Sequence, residues 1–375
     1  MNEQRDVLII GGGVIGLTCA YFLAREGLRV EVVDRGDMGQ EASWAGAGIL
    51  PPGNPERAAT PYDQLRARSA VMFPSLSAEL RERTGMDNGF WRCGGLELVS
   101  EADDDWTHCW RAEGIPFEKL SEDAAAHLEP RMTTGSHVVY HLPDMAQLRN
   151  PRHLKALLAG CGALGVRLRP GCPLGHIEVA GARVVAVHGD QGAMRAERFV
   201  IAAGAWTDSL LRPLGWRLGI RPIRGQIALL RTLTPVFRRI IMVGAHYLVP
   251  RPDGRVLVGS TEEDAGYEKR TTAQAIHDLL QLATSIVPTL QQAHLERCWA
   301  GLRPGSPDGL PFLGPVPGLD NLVVAAGHFR AGIQLSPATA TVLKELILGQ
   351  PLTVPLADFR LDRTPGDHYQ PAFRA

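Results

Sequence analysis

Residues 6–35 read D-V-L-I-I-G-G-G-V-I-G-L-T-C-A-Y-F-L-A-R-E-G-L-R-V-E-V-V-D-R. Residues 7–10 form a short apolar, β-branched run, the pattern of a strand buried on both faces. The run enters Gly11, Gly13 and Gly16 in G-x-G-x-x-G spacing, and residues 17–26 then read as a helix that Gly27 ends. A second strand is expected over 28–33, closing on Asp34. Gly11 permits the tight turn, Gly13 lets backbone approach a pyrophosphate, and Gly16 lets helix pack closely on strand. The helix N-terminus offers N–H groups and partial positive charge to phosphate. Asp34, 18 residues after Gly16, is placed to accept hydrogen bonds from a ribose. Strand, glycines, helix, strand and acid in this order indicate a dinucleotide site.

A chain of 375 residues is long for one core, so two domains are expected. A hydrophobic content of 45% with 21% charged residues is that of a globular protein. The formal net charge of −1 gives no basis for nucleic acid or an anionic membrane as partner. No apolar run reaches membrane-spanning length, and the N-terminal apolar stretch belongs to the nucleotide fold, so no cleavable signal is expected. Six cysteines without C-x-x-C spacing read as reduced structural thiols of a cytoplasmic protein. The 12 histidines show no clustered ligand pattern, so no metal is expected.

Beyond Asp34, small residues at 42–48 let backbone lie against a flat or phosphorylated group. A helix is expected over 62–84, with Leu65, Val71, Leu76 and Leu80 as its apolar face. Strands are expected at 94–99 and 138–142, with a helix at 103–113 between them. A helix at 152–164 precedes strands at 166–169, 176–179, 183–188 and 198–202, the last running into A-A-G-A-W. Leu229 and a hairpin of 247–250 with 256–259 about P-D-G point to antiparallel sheet. Thr271 and Gln274 make a capping box for a helix running to about 286. Residues 299–314, W-A-G-L-R-P-G-S-P-D-G-L-P-F-L-G, read as a small apolar loop bearing one arginine. A buried strand at 322–326 leads through G-H-F-R-A-G-I-Q-L-S-P-A-T-A to a helix from about 337 to 348, and the polar tail beyond 351 is expected at the periphery.

The N-terminal fingerprint, E-A-S-W-A-G-A-G-I-L-P (41–51), A-A-G-A-W (202–206), the 299–314 motif and A-A-G-H-F-R-A-G-I-Q-L-S-P-A-T (325–339) together resemble the FAD-dependent amine oxidases related to D-amino-acid oxidase. Within that group the chain is most similar to the glycine oxidases of thiamin biosynthesis. The resemblance spans nearly the whole chain and implies a mixed α/β fold: a Rossmann-like FAD-binding domain and a second domain built on an antiparallel sheet. The implied FAD domain is discontinuous (1–84, 148–220 and 297–375), with a substrate domain from 85–147 and 221–296. It implies that Val14 and Ile15 lie along the diphosphate and that Asp34 and Arg35 border the adenosine ribose, with Asp34 a shorter substitute for the common glutamate. Ala42, Ser43, Ala47, Gly48 and Ile49 would face the flavin, and Leu174 the adenine half. His328, Phe329, Arg330, Ala331, Gly332, Ile333 and Gln334 would wrap the isoalloxazine end. Arg303 and Arg330 match substrate-site arginines and Tyr247 the active-site tyrosine; Ala331 stands where glycine oxidases often carry asparagine.

The implied chemistry is oxidation of a small amino acid (glycine, sarcosine or D-alanine) by non-covalent FAD. Hydride passes from Cα to flavin N5, molecular oxygen restores the flavin with release of hydrogen peroxide, and the imine hydrolyses to glyoxylate and ammonia. Sarcosine or D-amino-acid oxidases, dehydrogenases and a non-catalytic FAD-binding subunit are the alternatives, and tetramers in the family make a homo-oligomer an open expectation. The residue types agree: a carboxylate needs a fixed cation, and guanidinium offers two parallel donors. Other readings stay open for each residue. Arg303 can be an internal partner of Asp308, Tyr247 can be packing, Arg330 a solvated loop residue, and His328 an ordinary polar one.

Overall fold

A computed structural model describes residues 5–100, 106–190, 192–364 and 366. The strand Arg5–Ile10 lies at the centre of a six-stranded sheet. On one side come Val30–Val33 and Arg167–Arg169; on the other, Ala196–Ile201, Leu322–Ala326 and Phe312–Pro315. All neighbours are parallel except the last pair. The chain thus leaves the first strand to one side and returns to the other. Such a reversal of strand order opens a crevice at the carboxyl ends, where doubly wound sheets bind ligands.

The continuous apolar run in the first strand is explained by two buried faces. Val7 and Ile9 join a core with Leu17, Leu65, Leu157 and Leu343, supplied by the helices Val14–Arg25, Pro61–Thr84, Asn150–Ala163 and Gly332–Leu348. Leu8 and Ile10 face Val184, Val187 and Ile201 in a second core, which a small antiparallel sheet helps to cover (Leu174–Ala180, Arg183–Gly189, Gly192–Met194).

The other large sheet has eight strands: His294–Gly305, Arg221–Arg231, Arg255–Gly259, His246–Pro250, Ile240–Val243, Gly95–Val99, Val138–Leu142 and Glu118–Leu120, in spatial order. It is antiparallel as expected, except that Ile240–Val243 runs parallel to Gly95–Val99. One face packs Leu230, Leu248 and Val258 against Leu279, Ala283 and Ile286 of the helix Ala273–Ile286. The other turns Ile227, Met242, Tyr247 and Leu257 toward Ala47 and Ile49.

Several expectations need correction. Val71 is 56% exposed, whereas Leu65, Leu76 and Leu80 are buried. At about 100° per residue Val71 sits roughly 240° round from Leu65, on the opposite side of the helix. The cap near 271 falls one residue later: the Thr272 hydroxyl accepts from Ala275 N, its own N–H donates to Gln226, and Gln274 bonds Asp278 instead of closing a box. Residues 299–305 are strand, because they continue the long ladder with Arg221–Arg231. The last helix starts at Gly332 and contains Pro337; the carbonyl of Ile333, which Pro337 cannot serve, accepts from the Ser336 hydroxyl instead (2.9 Å). The first half of the expected 103–113 helix lies outside the described residues, which show Trp106–Glu113.

The tail is not peripheral. Val354, Phe359 and Leu361 are buried, and Arg363 forks onto the buried Asp308 at 2.7 and 2.8 Å. Burial raises the Asp308 carboxyl, but the hydrogen bonds and charge of Arg363 outweigh it and hold it below the usual range. Arg363→Met should therefore destabilise the fold by about 3 kcal/mol, the cost of leaving a buried carboxylate unpaired. A lowered folded-state pKa stabilises above the ordinary carboxylate pKa of about 4 and is lost as pH falls through the lowered value. Melting curves of variant and wild type should be well separated at neutral pH and converge in acid.

Candidate active site

The glycine turn is built by close approach. Gly11 takes φ 115° and donates to Val33 O at 2.8 Å, and a Cβ on it would overlap the Ala202 carbonyl. A Cβ on Gly16 would overlap Gly11 O, so Gly16 packs the first helix onto the turn and does not line the cleft. The Asp34 carboxylate pins the turn from the side, accepting from Gly12 N (2.7 Å) and Gly36 N (2.9 Å). Burial raises its pKa, opposed by those two N–H groups. The helix begins after Gly13, which has no side chain to cap it, and Ser43 Oγ accepts from Val14 N at 3.0 Å.

From this turn a cleft of about 310 Å³ runs to the end of the eight-stranded sheet. Gly11, Gly13, Val14, Ile15, Asp34, Arg35, Ala42, Ser43, Gly48 and Leu174 line it, as do Tyr247, Arg303, His328, Phe329, Arg330, Gly332, Ile333 and Gln334, with the wall residues Ala47 and Ile49 in one core cluster with Tyr247. Gly16 and Ala331 lie off the wall. Sequence reasoning missed Trp206 as a wall residue that stacks on the Arg35 guanidinium, 3.6 Å from ring centroid. It also missed Asn150, whose Nδ2 donates to Ser43 O at 2.8 Å.

Among the described residues, three buried polar atoms of the wall have no hydrogen-bond partner: Asn150 Oδ1, His328 Nδ1 and Gln334 Nε2. Buried polar groups left this way call for an outside partner. Together with the glycine cradle, they suit a long, polar, nucleotide-bearing group. Among the described residues no group of three or more potential metal ligands is found, and no helix is long and apolar enough to cross a membrane.

At the far end Arg303 projects from the strand His294–Gly305. Its Nη1 donates to Thr261 O (3.1 Å) and its Nη2 to Ser260 Oγ (2.6 Å). Among the described residues no carboxylate lies within ion-pair distance of it, because Asp308, the internal candidate, is taken by Arg363. Burial lowers the Arg303 pKa, Tyr247 supports its charge and Arg330 opposes it. Tyr247 is 4% exposed, on the wall and against Arg303, so it does more than pack. Arg330 is not a solvated loop residue either: it bonds Ala245 O at 2.9 Å and Glu262 at 3.2 Å. His328 is buried, bonds Thr339 Oγ1, and burial pushes its pKa down to about 3, so it is neutral at physiological pH.

Two glycines that carried no signal in the sequence make room for this end. A Cβ on Gly225 would collide with the Arg303 guanidinium, and one on Gly259 would come within 2.7 Å of the Tyr247 ring.

A switch-point glycine turn joined by one cleft to a sheet carrying a free-faced guanidinium defines a dinucleotide-dependent oxidoreductase. The family model described as "FAD dependent oxidoreductase" (DAO) matches residues 6–346, and the chain belongs to that family. It is 38% identical to the glycine oxidase of Pseudomonas putida, over 92% of this chain and 95% of that one. It is 36% identical to the bifunctional protein ThiO/ThiG of Synechocystis sp., over 93% of this chain and 52% of that one. The crystal structure of glycine oxidase from Geobacillus kaustophilus superposes with a TM-score of 0.92 at 33% identity, covering 97% of this chain and 100% of that one.

Gly225→Ala should displace the Arg303 guanidinium while leaving the glycine turn intact. The expected outcome is unchanged flavin content with KM for an amino-acid substrate raised about tenfold or more, on the scale of one charge-assisted hydrogen bond. Equal loss of flavin and turnover would contradict this account of the glycine.

Proposed function

We propose that the protein is an FAD-dependent oxidase of glycine or a similarly small amino acid, consuming oxygen and serving thiamin thiazole synthesis. The observation that carries this is Arg303: a buried-side guanidinium on the cleft wall, held by neutral acceptors, with part of its fork turned to the cavity. The likeness to glycine oxidases supports the same substrate class.

FAD, when bound, would supply the two-electron oxidation of the amine, with oxygen as the final acceptor. The chain does the rest by position. The residues that would hold FAD are Gly11 to Ile15 along the diphosphate, Asp34 and Arg35 at the ribose and Leu174 toward the adenine. Ala42 to Ile49 would lie along the flavin, and His328 to Gln334 about its ring. Arg303 binds the substrate carboxylate in a bidentate pair, and Tyr247, next to it, orients the amino acid. Leu302, Phe329 and Ile49 make that end apolar and exclude water. His328, held neutral by burial, neither adds charge nor takes a proton at physiological pH. The six-stranded sheet with its helices would form the FAD domain and the eight-stranded sheet the substrate domain. The strand His294–Gly305 would carry Arg303 from one into the other.

The reading is tested at Arg303. Arg303→Ala should keep FAD and fold, yet lose glycine turnover by about 100-fold or more, since a charge-assisted pair and its positioning are both removed. Arg303→Lys should recover part of it, because ammonium restores charge without the planar fork. Survival of glycine kinetics in Arg303→Ala would sink the assignment.

Non-covalent attachment is also proposed. Cys298, the thiol nearest the arginine motif, packs on the far-face core of the sheet, and the cleft's own cysteine, Cys172, is fully buried beside Pro173. Acid precipitation should leave all yellow colour in the supernatant; colour in the pellet would show a covalent bond.

A further inference from the structure

Beside the Arg303 anchor stand a second guanidinium and a single acid. Arg330 Nη1 lies 3.2 Å from Glu262 Oε2, with the Arg330 side chain 11% exposed and that of Glu262 47%. Arg330 is on the cleft wall; Glu262 is not, and reaches it from the surface side. The segment that carries Glu262 also holds Arg303, through Ser260 Oγ and Thr261 O.

That segment has little freedom. Its other acid, Glu263, is committed to Arg224 and to Gln226, whose Nε2 donates at 2.8 Å, while Arg224 and Glu263 also pair through their backbones. Glu262 is therefore the acid that faces Arg330. The nearby histidines add no charge at neutral pH, since burial lowers both His246 and His328. Among the described residues, the ion pairs on the page set two cations, Arg303 and Arg330, against the one anion Glu262, one positive charge in excess and the complement of one carboxylate.

We infer that Glu262 sets the charge specificity of the site: by holding Arg330 in an ion pair, it reserves the pocket for amines with one carboxylate and disfavours those with a second anionic group. This rests on the reading that Arg303 receives the substrate carboxylate. The discrimination works as a built-in repulsion, since a second anion must approach Glu262 and compete with it for Arg330. Glu262 is here a specificity-determining residue; it need not touch the reacting atoms.

The test compares sarcosine with iminodiacetate, which is sarcosine bearing one more carboxylate, on the flavin-loaded wild type and Glu262→Gln. Glutamine keeps the length and an oxygen for Arg330 but removes the charge. The ratio of kcat/KM for iminodiacetate over sarcosine should rise about tenfold, chiefly through KM. Adding Arg330→Met to Glu262→Gln should erase the gain. If Glu262 only braces the fold, both substrates fall together with the melting temperature, and the ratio stays put; that overturns the inference.

Binding of acetate and of malonate, followed by flavin absorbance, measures the same preference without turnover. Malonate should gain on acetate by a similar factor in Glu262→Gln. Should the wild type oxidise neither amine, the proposed reaction fails, while a malonate gain would still uphold the role of Glu262. Failure of both carboxylates to bind would overturn the anchor and the inference together.

Discussion

The site depends on a guanidinium carried by a sheet strand with, among the described residues, no carboxylate within ion-pair distance, Glu262 supporting its charge only from farther off. Removing a cation from water is expensive, and neutral acceptors recover only part of the loss. The chain contains other buried arginines, and their surroundings show what distinguishes Arg303. Arg66 is paired with Glu113, Arg224 with Glu263 and Arg363 with Asp308. Arg251 has no acid in contact among the described residues, but Ala47 O, Leu148 O and Gln147 Oε1 take up its fork, and burial lowers its pKa to about 9. Arg303 combines two neutral acceptors with a face on the cleft. That arrangement is the basis for proposing Arg303 as the partner of an incoming carboxylate.

The same constraint explains why two sheets must meet where they do. Residues 42–50 lie between them: Val14 N, after the glycine turn, donates to Ser43 Oγ, and the eight-stranded sheet holds the rest of the segment. Trp299 Nε1 donates to Ala45 O at 3.0 Å, and Gly301 lets the helical turn Ala42–Ala45 lie flat on the strand that bears Arg303. Arg251, just beyond the strand His246–Pro250 of that same sheet, clamps Ala47 O at 2.7 Å. Ala47 and Ile49 share a core with Tyr247 and Leu257. The segment expected to line the cofactor is thus a wedge whose position reports directly on the strand that carries the anchor. Packing transmits such displacement because close-packed side chains do not yield continuously.

The sequence was most legible where structure is local. Residues 6–35 give strand, turn, helix and acid because each depends on neighbours within a few residues, and Gly27 does end its helix with φ 85°. The motifs around Arg303 and His328 drew attention, through resemblance, to segments that line the cleft, while their local structure was misjudged. Residues 299–305 looked like a loop because glycine and proline weaken any strand signal; a partner strand more than 60 residues away makes them β. The helix before Pro337 was hidden for a similar reason, since only the Ser336 hydroxyl reveals how the proline is accommodated. Gly225, Glu262 and Arg363 carried no signal at all. Their meaning lies in contacts across the fold: with Arg303, with Arg330 and with Asp308. Long-range pairing of this kind leaves no periodicity to read.

Charge at the catalytic end is fixed, and this limits what the chain itself can do there. Arginines do not titrate near neutrality, and the two nearby histidines are pushed toward their neutral forms by burial. The Nδ1 of His328 is left without a protein partner, yet a ring that protonates only near pH 3 is a poor base for an ordinary amine. In the proposed reaction the protein's part would be to place one carboxylate, exclude water and present Cα in a single orientation, leaving electron transfer to the cofactor. A site that works by position has to be rigid. Gly225 and Gly259 have no side chain where the guanidinium and the phenol ring lie, and the segment 260–263 is tied down by the network around Glu263. Positional accuracy here comes from backbone closeness in a sheet, with few side chains that could rearrange.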